Sequence, residues 1–271
     1  MVRGLYTSAS GALVAQAQVD NIASNLANVD TSGFKQTLLQ IQSAPSFNIY
    51  RIQTDPGQSP KSPLPGIAVQ QYVGPLGTGA LVRDTPTDFQ EGALQSTGNK
   101  LDLAITGNSG AFFTVQTPNG IRYTRNGEFV RDAGGVIRTQ DGDAVLGSNG
   151  APIQTRDQGS IDIANDGTVT QHINNATVTV GQLQITQFNS LANLRPEGSN
   201  LFAPSGNAQP GAPATYSIQQ GFLEKSNGNV VRSMVDLITA ERWFSANEKS
   251  IKTQDDATQS AILQLAKTPN S

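Results

Sequence analysis

Apolar residues at both ends of the chain recur with a helical period, whereas those in the middle alternate or come in short runs. Near the start, Leu5, Ala12, Val19 and Leu26 fall seven apart. Ser8, Ala15, Ile22 and Val29 form a companion row three residues on, which completes an a/d heptad stripe over residues 4–29. The faces between carry Gln16, Gln18, Asp20, Asn21 and Ser24, and Gly33 is placed to stop the helix or to make the turn after it. The pattern returns at the other end. Val230, Leu237, Phe244, Ile251, Thr258 and Leu265 are seven apart, with Ser233, Ala240, Asn247, Gln254 and Ala261 beside them. No Pro or Gly interrupts residues 230–267, so this segment predicts a rod of roughly 60 Å. Two heptad segments in one chain are most simply partners for each other, as an antiparallel coiled coil. Both stripes are rich in small and polar residues, so the pair is expected to need neighbouring chains to bury its remaining apolar surface. Core helices packed on a globular domain are the blander reading, and the length of the second helix counts against it.

The middle divides in two. Residues 43–90 hold seven of the 14 prolines, and the segment 36–90 reads as an extended connector, because successive prolines remove ladder donors and restrict their neighbours. Residues 91–222 read as an antiparallel β domain. Alternation appears in Leu101–Ile105, Phe113–Val115 and Val178–Ile185. Turn signals recur at Pro118-Asn-Gly120, Asn126-Gly127, Gly134-Gly135, Asp141-Gly142, Asn149-Gly150 and Asp166-Gly167. The expected fold is mixed α and β, segregated: long N- and C-terminal helices with an inserted antiparallel β domain. The expected divisions are 1–35, 36–90, 91–222 and 223–271.

Composition narrows the chemistry. Charged residues make up 14% of the chain against about 25% in an average domain, and the formal net charge is −3. Nothing here is a basic footprint for nucleic acid or anionic lipid. The first residues lack an apolar signal region, so no cleavable secretory leader is expected. The absence of cysteine excludes disulfides and thiolate sites.

His172 is the one histidine, so a Ser-His-Asp arrangement could be built only around it. It lies in Thr170–Asn175, which reads as a solvated hairpin loop. Ser32–Lys35 spells S-x-x-K, but Gly33 makes continuous helix there implausible and no companion motif follows. Asp141-Gly-Asp143 reads as a β-turn with Asp141 first rather than a calcium loop. Asp255 and Asp256 point about 100° apart on a helix and read as a solvated face. Gly77-Thr-Gly79 lacks the residues of a phosphate loop. No enzyme, cofactor, metal or small-molecule substrate is expected.

Three ordered motifs carry a resemblance. Asn21-Ile-Ala-Ser-Asn25-Leu-Ala-Asn28-Val-Asp-Thr31-Ser-Gly33-Phe34-Lys35 resembles the signature that closes the first helix of bacterial flagellar rod and hook proteins. Leu101-Asp-Leu-Ala-Ile105-Thr-Gly107, Phe112-Phe113 and Tyr123-Thr-Arg125-Asn-Gly127-Glu-Phe129 are similar to the same group's central stretch, with a short insertion at Asn108–Ala111. Gln220-Gly-Phe-Leu-Glu224-Lys-Ser226-Asn227 and Met234–Phe244 resemble its entry to the last helix, with Gly228 in place of the usual Val and Trp243 where small residues are common.

The resemblance implies a structural subunit of the basal-body rod, stacking into a helical tube that transmits torque to the hook. Implied partners are copies of itself, other rod and hook subunits, and the flagellar type III export apparatus; the location is the basal body. The assembly interface is expected to use Leu5, Ala12, Val19, Ile22, Leu26, Asn25, Asn28, Gly33, Phe34, Val230, Leu237, Phe244, Ile251 and Leu265. The competing reading is an extracellular binding module, an adhesin or phage-tail-like component, that holds a ligand on the β domain.

Overall fold

The computed structural model describes residues 2–52, 70–156, 159–173, 176–206, 211 and 215–266. Two helices, α1 (Val2–Ala27) and α2 (Val230–Ala266), stand at the ends, with antiparallel strands between them. Both heptad segments are therefore helical, except that Val29, the last position of the first stripe, falls in the turn after α1. The α2 N-terminus is capped by Asn229, whose Oδ1 accepts from the Arg232 N–H at 3.0 Å, one of the donors a helix start leaves unpaired. Beyond Ala27 the chain runs through successive tight turns to Gly33, which has φ 69° and is the turn after the helix rather than its last residue.

The chain divides into two compact units. The first comprises Met1–Asn21, Leu39–Thr85 and Val235–Ser271. Within it the strand Gln40–Ser43 pairs with Ala80–Asp84, and Phe47–Ile52 pairs with Gln70–Leu76. The segment read from its prolines as an extended connector thus carries four strands. Pro75 sits in a two-stranded ladder, where a missing N–H is tolerated. The densest proline run, residues 56–65, lies outside the described residues.

The second unit comprises Ile22–Leu38 and Pro86–Met234. Its largest sheet has eight strands, with Ala111–Thr117 at the centre. That strand is buried on both faces. Phe113 and Val115 enter a core with Leu103, Ile105, Phe129 and Ile137, while Phe112 points the opposite way to Phe89, Phe188 and Phe202. A three-stranded meander, Ser160–Ile163, Thr168–Ile173 and Ala176–Gln182, stands beside it. Two sequence expectations need correction here. The turn at Asp141 closes from the Thr139 carbonyl to the Gly142 N–H, so Asp141 is its third residue, and Gly142 (φ 94°) takes the left-handed position. Residues 170–173, expected in a loop, belong to a strand whose end carries His172.

Candidate assembly interface

The face of α2 that other residues cover coincides with the heptad stripe. Ser233, Leu237, Ala240, Phe244, Asn247, Ile251, Gln254, Thr258 and Ala261 are all buried or half-buried. On α1 the positions Leu5, Ser8, Ala12, Ala15, Val19, Ile22, Leu26 are likewise covered to some degree. Contacts within the first unit run in opposite directions along the two helices. A Cβ on Gly4 would lie 2.8 Å from Gln254 Oε1, and one on Gly11 would lie 2.9 Å from Asn247 Oδ1. Between these, the hydroxyls of Ser8 and Ser250 are 3.1 Å apart. This line of contacts is polar and has small residues on the α1 side. Among the described residues, Gln18 Oε1 and Gln254 Oε1 are buried without a hydrogen-bond partner.

Of the expected interface residues, Leu5, Ala12, Val19, Ile22, Leu26, Leu237, Phe244 and Ile251 are half-buried, and Val230 is exposed. Leu265 is in the last turn of α2, and its side chain lies outside the described set. Outside the stripe, large apolar side chains stand in solvent: Tyr6 at 68%, Leu13 at 73%, and Val231, Met234, Val235 and Ile238 along α2. The heptad reading missed them because they fall between its rows. In the first unit an open groove of about 850 Å³ is lined by Tyr6, Thr7, Phe47, Ile49, Tyr50 and Leu76. Of the Gly77-Thr-Gly79 string, Gly77 and Thr78 line this groove and Gly79 brings the backbone close to α1: a Cβ on Gly79 would lie 2.0 Å from Ser10 Oγ.

The motif residues have a different environment. Asn25, Asn28 and Phe34 are half-buried and Gly33 is buried. Asn25 brackets the Thr37 backbone, and Asn28 Nδ2 donates to the Ser24 carbonyl at 2.9 Å. Three charges that the site expectation omitted come together in the interior of the second unit. Lys35 Nζ donates to Glu224 Oε1 at 2.5 Å, and Arg125 Nη1 donates to Glu224 Oε2 at 3.2 Å. All three side chains are at most 1% exposed. Burial pulls the Lys35 ammonium below its ordinary value, with Glu224 opposing, and does the same to the Arg125 guanidinium. Each residue lies in one of the three sequence motifs. In a chain with so little charge, a charged residue inside each motif was the available signal.

His172 sits on the meander surface, half-exposed. Its Nε2 lies 2.9 Å from Asp162 Oδ2 and its Nδ1 lies 2.8 Å from Thr177 Oγ1. Asp162 also pairs with Lys100 at 2.6 Å. These are cross-strand neighbours on a solvated sheet face. Among the described residues no group of three His, Asp or Glu is arranged to hold a metal ion.

Comparison with known proteins gives three family matches in chain order. "Flagella basal body rod protein" matches residues 5–35, "Flagellar hook protein FlgE/F/G D1 domain" matches 104–171, and "Flagellar basal body rod FlgEFG protein C-terminal" matches 219–265. Among curated relatives, the flagellar basal-body rod protein FlgG of Bacillus subtilis is 35% identical over 271 residues, covering 97% of this chain and 98% of its own. FlgG of Borreliella burgdorferi is 34% identical, covering 94% and 96%. FlgF of Caulobacter vibrioides is 28% identical, covering 98% and 99%.

Proposed function

Because the chain belongs to the flagellar basal-body rod protein family, close to the distal rod protein, and is a structural subunit of the bacterial basal-body rod, we propose how its parts divide that work. Residues 1–35 and 223–271 serve as the assembling helices and their signatures. Residues 36–90 act as a bridge to axial neighbours, and 91–222 as the outer β domain. The reading as an extracellular binding module has no support among the relatives.

α1 and α2 act as an antiparallel coiled coil in the inner layer of the tube. The observation that carries this is the descending set of contacts, Gly4 to Gln254, Ser8 to Ser250 and Gly11 to Asn247. Facing partners move down one helix as they move up the other, which is what an antiparallel seam requires. Small residues on α1 let the helices approach closely, at the cost of apolar burial between them. The seam alone is therefore a weak joint. Half-buried Leu5, Ala12, Val19, Ile22, Leu26, Leu237, Phe244 and Ile251 line it or flank it, exposed Val230 and the heptad position Leu265 are assigned to the same interface, and Asn25, Asn28, Gly33 and Phe34 hold the turn that follows α1. Exposed Tyr6, Leu13, Val231 and Ile238 supply apolar surface for adjacent copies. Subunits joined through unlike surfaces whose rotation does not close grow an open helical tube. A weakly paired terminus is also suited to passage through the type III export apparatus as an unfolded chain, since isolated helices are marginal in water.

A cysteine-free chain makes the test direct. Ser8→Cys with Ser250→Cys, oxidised in dilute monomer and again in assembled filaments, is expected to give an intrachain disulfide in both. Cross-links found only between chains would overturn the coiled-coil reading while leaving the rod assignment intact.

A further inference from the structure

The segments that join the two helices to the second unit are held there differently from its core. Across residues 22–38 and 219–234 no apolar side chain is fully buried; the fully buried positions are Gly33, Lys35, Glu224 and Ser226. Attachment is polar. The Glu224 carboxylate accepts from Lys35 Nζ and from the Gly92 N–H at 2.9 Å through Oε1, and from Arg125 Nη1 through Oε2. Its backbone carbonyl takes the Gly33 N–H at 2.7 Å. Lys35 Nζ reaches the Gln90 carbonyl at 2.6 Å, and Arg125 reaches the carbonyls of Ile105 and Asn108. Three residues further on, Asn227 Oδ1 accepts from the Gln36 N–H and its Nδ2 donates to the Asp88 carbonyl, both at 2.9 Å. The four residues from Glu224 to Asn227, just before α2, thus strap the stretch just after α1.

We propose that Lys35, Arg125 and Glu224 form a latch that fastens the roots of both helices to the β unit, with Glu224 as its closing member, and that the latch opens as a local unit while the sheet stays folded. The charge count makes Glu224 the closing member. It is the one buried anion paired with the two buried cations; exposed Glu91 acts on them only through space, so removing Glu224 leaves both without a hydrogen-bonded counter-charge. Removing Lys35 leaves a one-to-one pair of Arg125 and Glu224. An uncompensated buried charge is strongly destabilising, whereas a balanced pair is tolerated. Separability follows from the burial pattern, because cooperative unfolding of the sheet is driven by Phe112, Phe113, Val115 and their neighbours, none of which lies in the strapped segments. The inference concerns the fold of the single chain and does not require the coiled-coil reading.

The test is hydrogen exchange on the full-length protein. In Glu224→Gln the amides of Gly33, Gln36 and Gly92 are expected to exchange on the order of a hundredfold faster, with those of Phe113 and Val115 keeping their protection. Lys35→Met is expected to show the same local pattern at about tenfold. Unchanged exchange at Gly33, Gln36 and Gly92, or an equal rise across the sheet, overturns the latch. Should Glu224→Gln yield no folded protein, Lys35→Met decides by the same two criteria.

Discussion

Asn25 closes on the backbone of Thr37 from both sides, its Nδ2 donating to the Thr37 carbonyl at 2.8 Å and its Oδ1 accepting the Thr37 N–H at 3.0 Å. An asparagine side chain thereby does for Thr37 what a neighbouring strand would do. It ties the last turn of α1 to the segment that bridges to Thr87.

That bracket needs one donor and one acceptor on the same planar group. Asn25→Asp keeps the shape but turns an oxygen toward the Thr37 carbonyl. The substitution is expected to destabilise the second unit by about 1–3 kcal/mol, and Asn25→Ala by a similar amount, since either leaves a backbone group unpaired. Urea unfolding of the full chain checks this. Equal stability of Asn25→Asp and the parent would show that water replaces the lost bond without cost.

The polar contacts between α1 and α2 make a second prediction. Gly11 is an interior helical glycine, and replacing such a residue by alanine gains about 1 kcal/mol of helix propensity. The added Cβ would meet Asn247 Oδ1 at 2.9 Å, the end of a side chain that can rotate away after giving up its bond to the Trp243 carbonyl. Gly11→Ala is therefore expected to be neutral or to raise helix stability by a few tenths of a kcal/mol. Helical circular dichroism during thermal unfolding measures it, and a fall of more than about 1 kcal/mol would mean that the contact is rigid.

How much of this was visible in the amino-acid order depends on whether the cause is local. The heptad rows are local: 37 helical residues without Gly or Pro display their covered face directly, and the stripe from Ser233 to Ala261 is that face. Turns are local as well, since Gly120, Gly150 and Gly167 have the positive φ that the Asn or Asp before each advertises. The strand Ala111–Thr117 alternates only from Phe113 onward and opens on a continuous apolar run, because both of its faces are buried. The charge cluster is the opposite case. Lys35 and Glu224 are 189 positions apart, and each alone reads as a surface charge. Its presence could be suspected only from the charged residues that the three motifs carry, Lys35, Arg125 and Glu224 among them. The exposed pair Tyr6 and Leu13 escaped notice because a seven-residue count begun at Leu5 passes them by.

Acid stability follows from four carboxylates in the second unit. A hydrogen bond from Arg138 is the main cause that lowers Asp132; Lys100 does this for Asp162, the Thr168 N–H for Asp166 and Arg122 for Glu197. Each binds its proton less readily folded than unfolded. Its contribution is complete above the ordinary values of 3.8 for Asp and 4.5 for Glu, and is lost as the pH falls through the lower folded value. Asp143 has the opposite sign: burial, with Asp141 beside it, raises its pKa, so it favours the folded state in acid. Four against one predicts that the thermal midpoint falls as the pH is taken from about 5 to about 3. Asp132→Asn is expected to flatten that slope, and an unchanged slope would remove Asp132 from the account.

Gly33 and Gly150 separate two reasons for a glycine. Both have positive φ, 69° and 75°. Around Gly150 nothing lies within 4 Å of an added Cβ, so Gly150→Ala bears only the left-handed backbone cost of about 1–2 kcal/mol. At Gly33 the Cβ would fall 2.4 Å from the Asn126 N and 2.5 Å from the Arg125 carbonyl carbon, both backbone atoms of the strand end that presents Arg125 to Glu224. Backbone cannot rotate away as a side chain can. Gly33→Ala must push the 33–37 segment off its seat, which also draws Lys35 from Glu224, and is expected to cost more than about 4 kcal/mol. Parallel denaturant curves for the two variants measure the difference. Similar losses at both positions would show that φ alone demands glycine at Gly33 and that the segment has room to move.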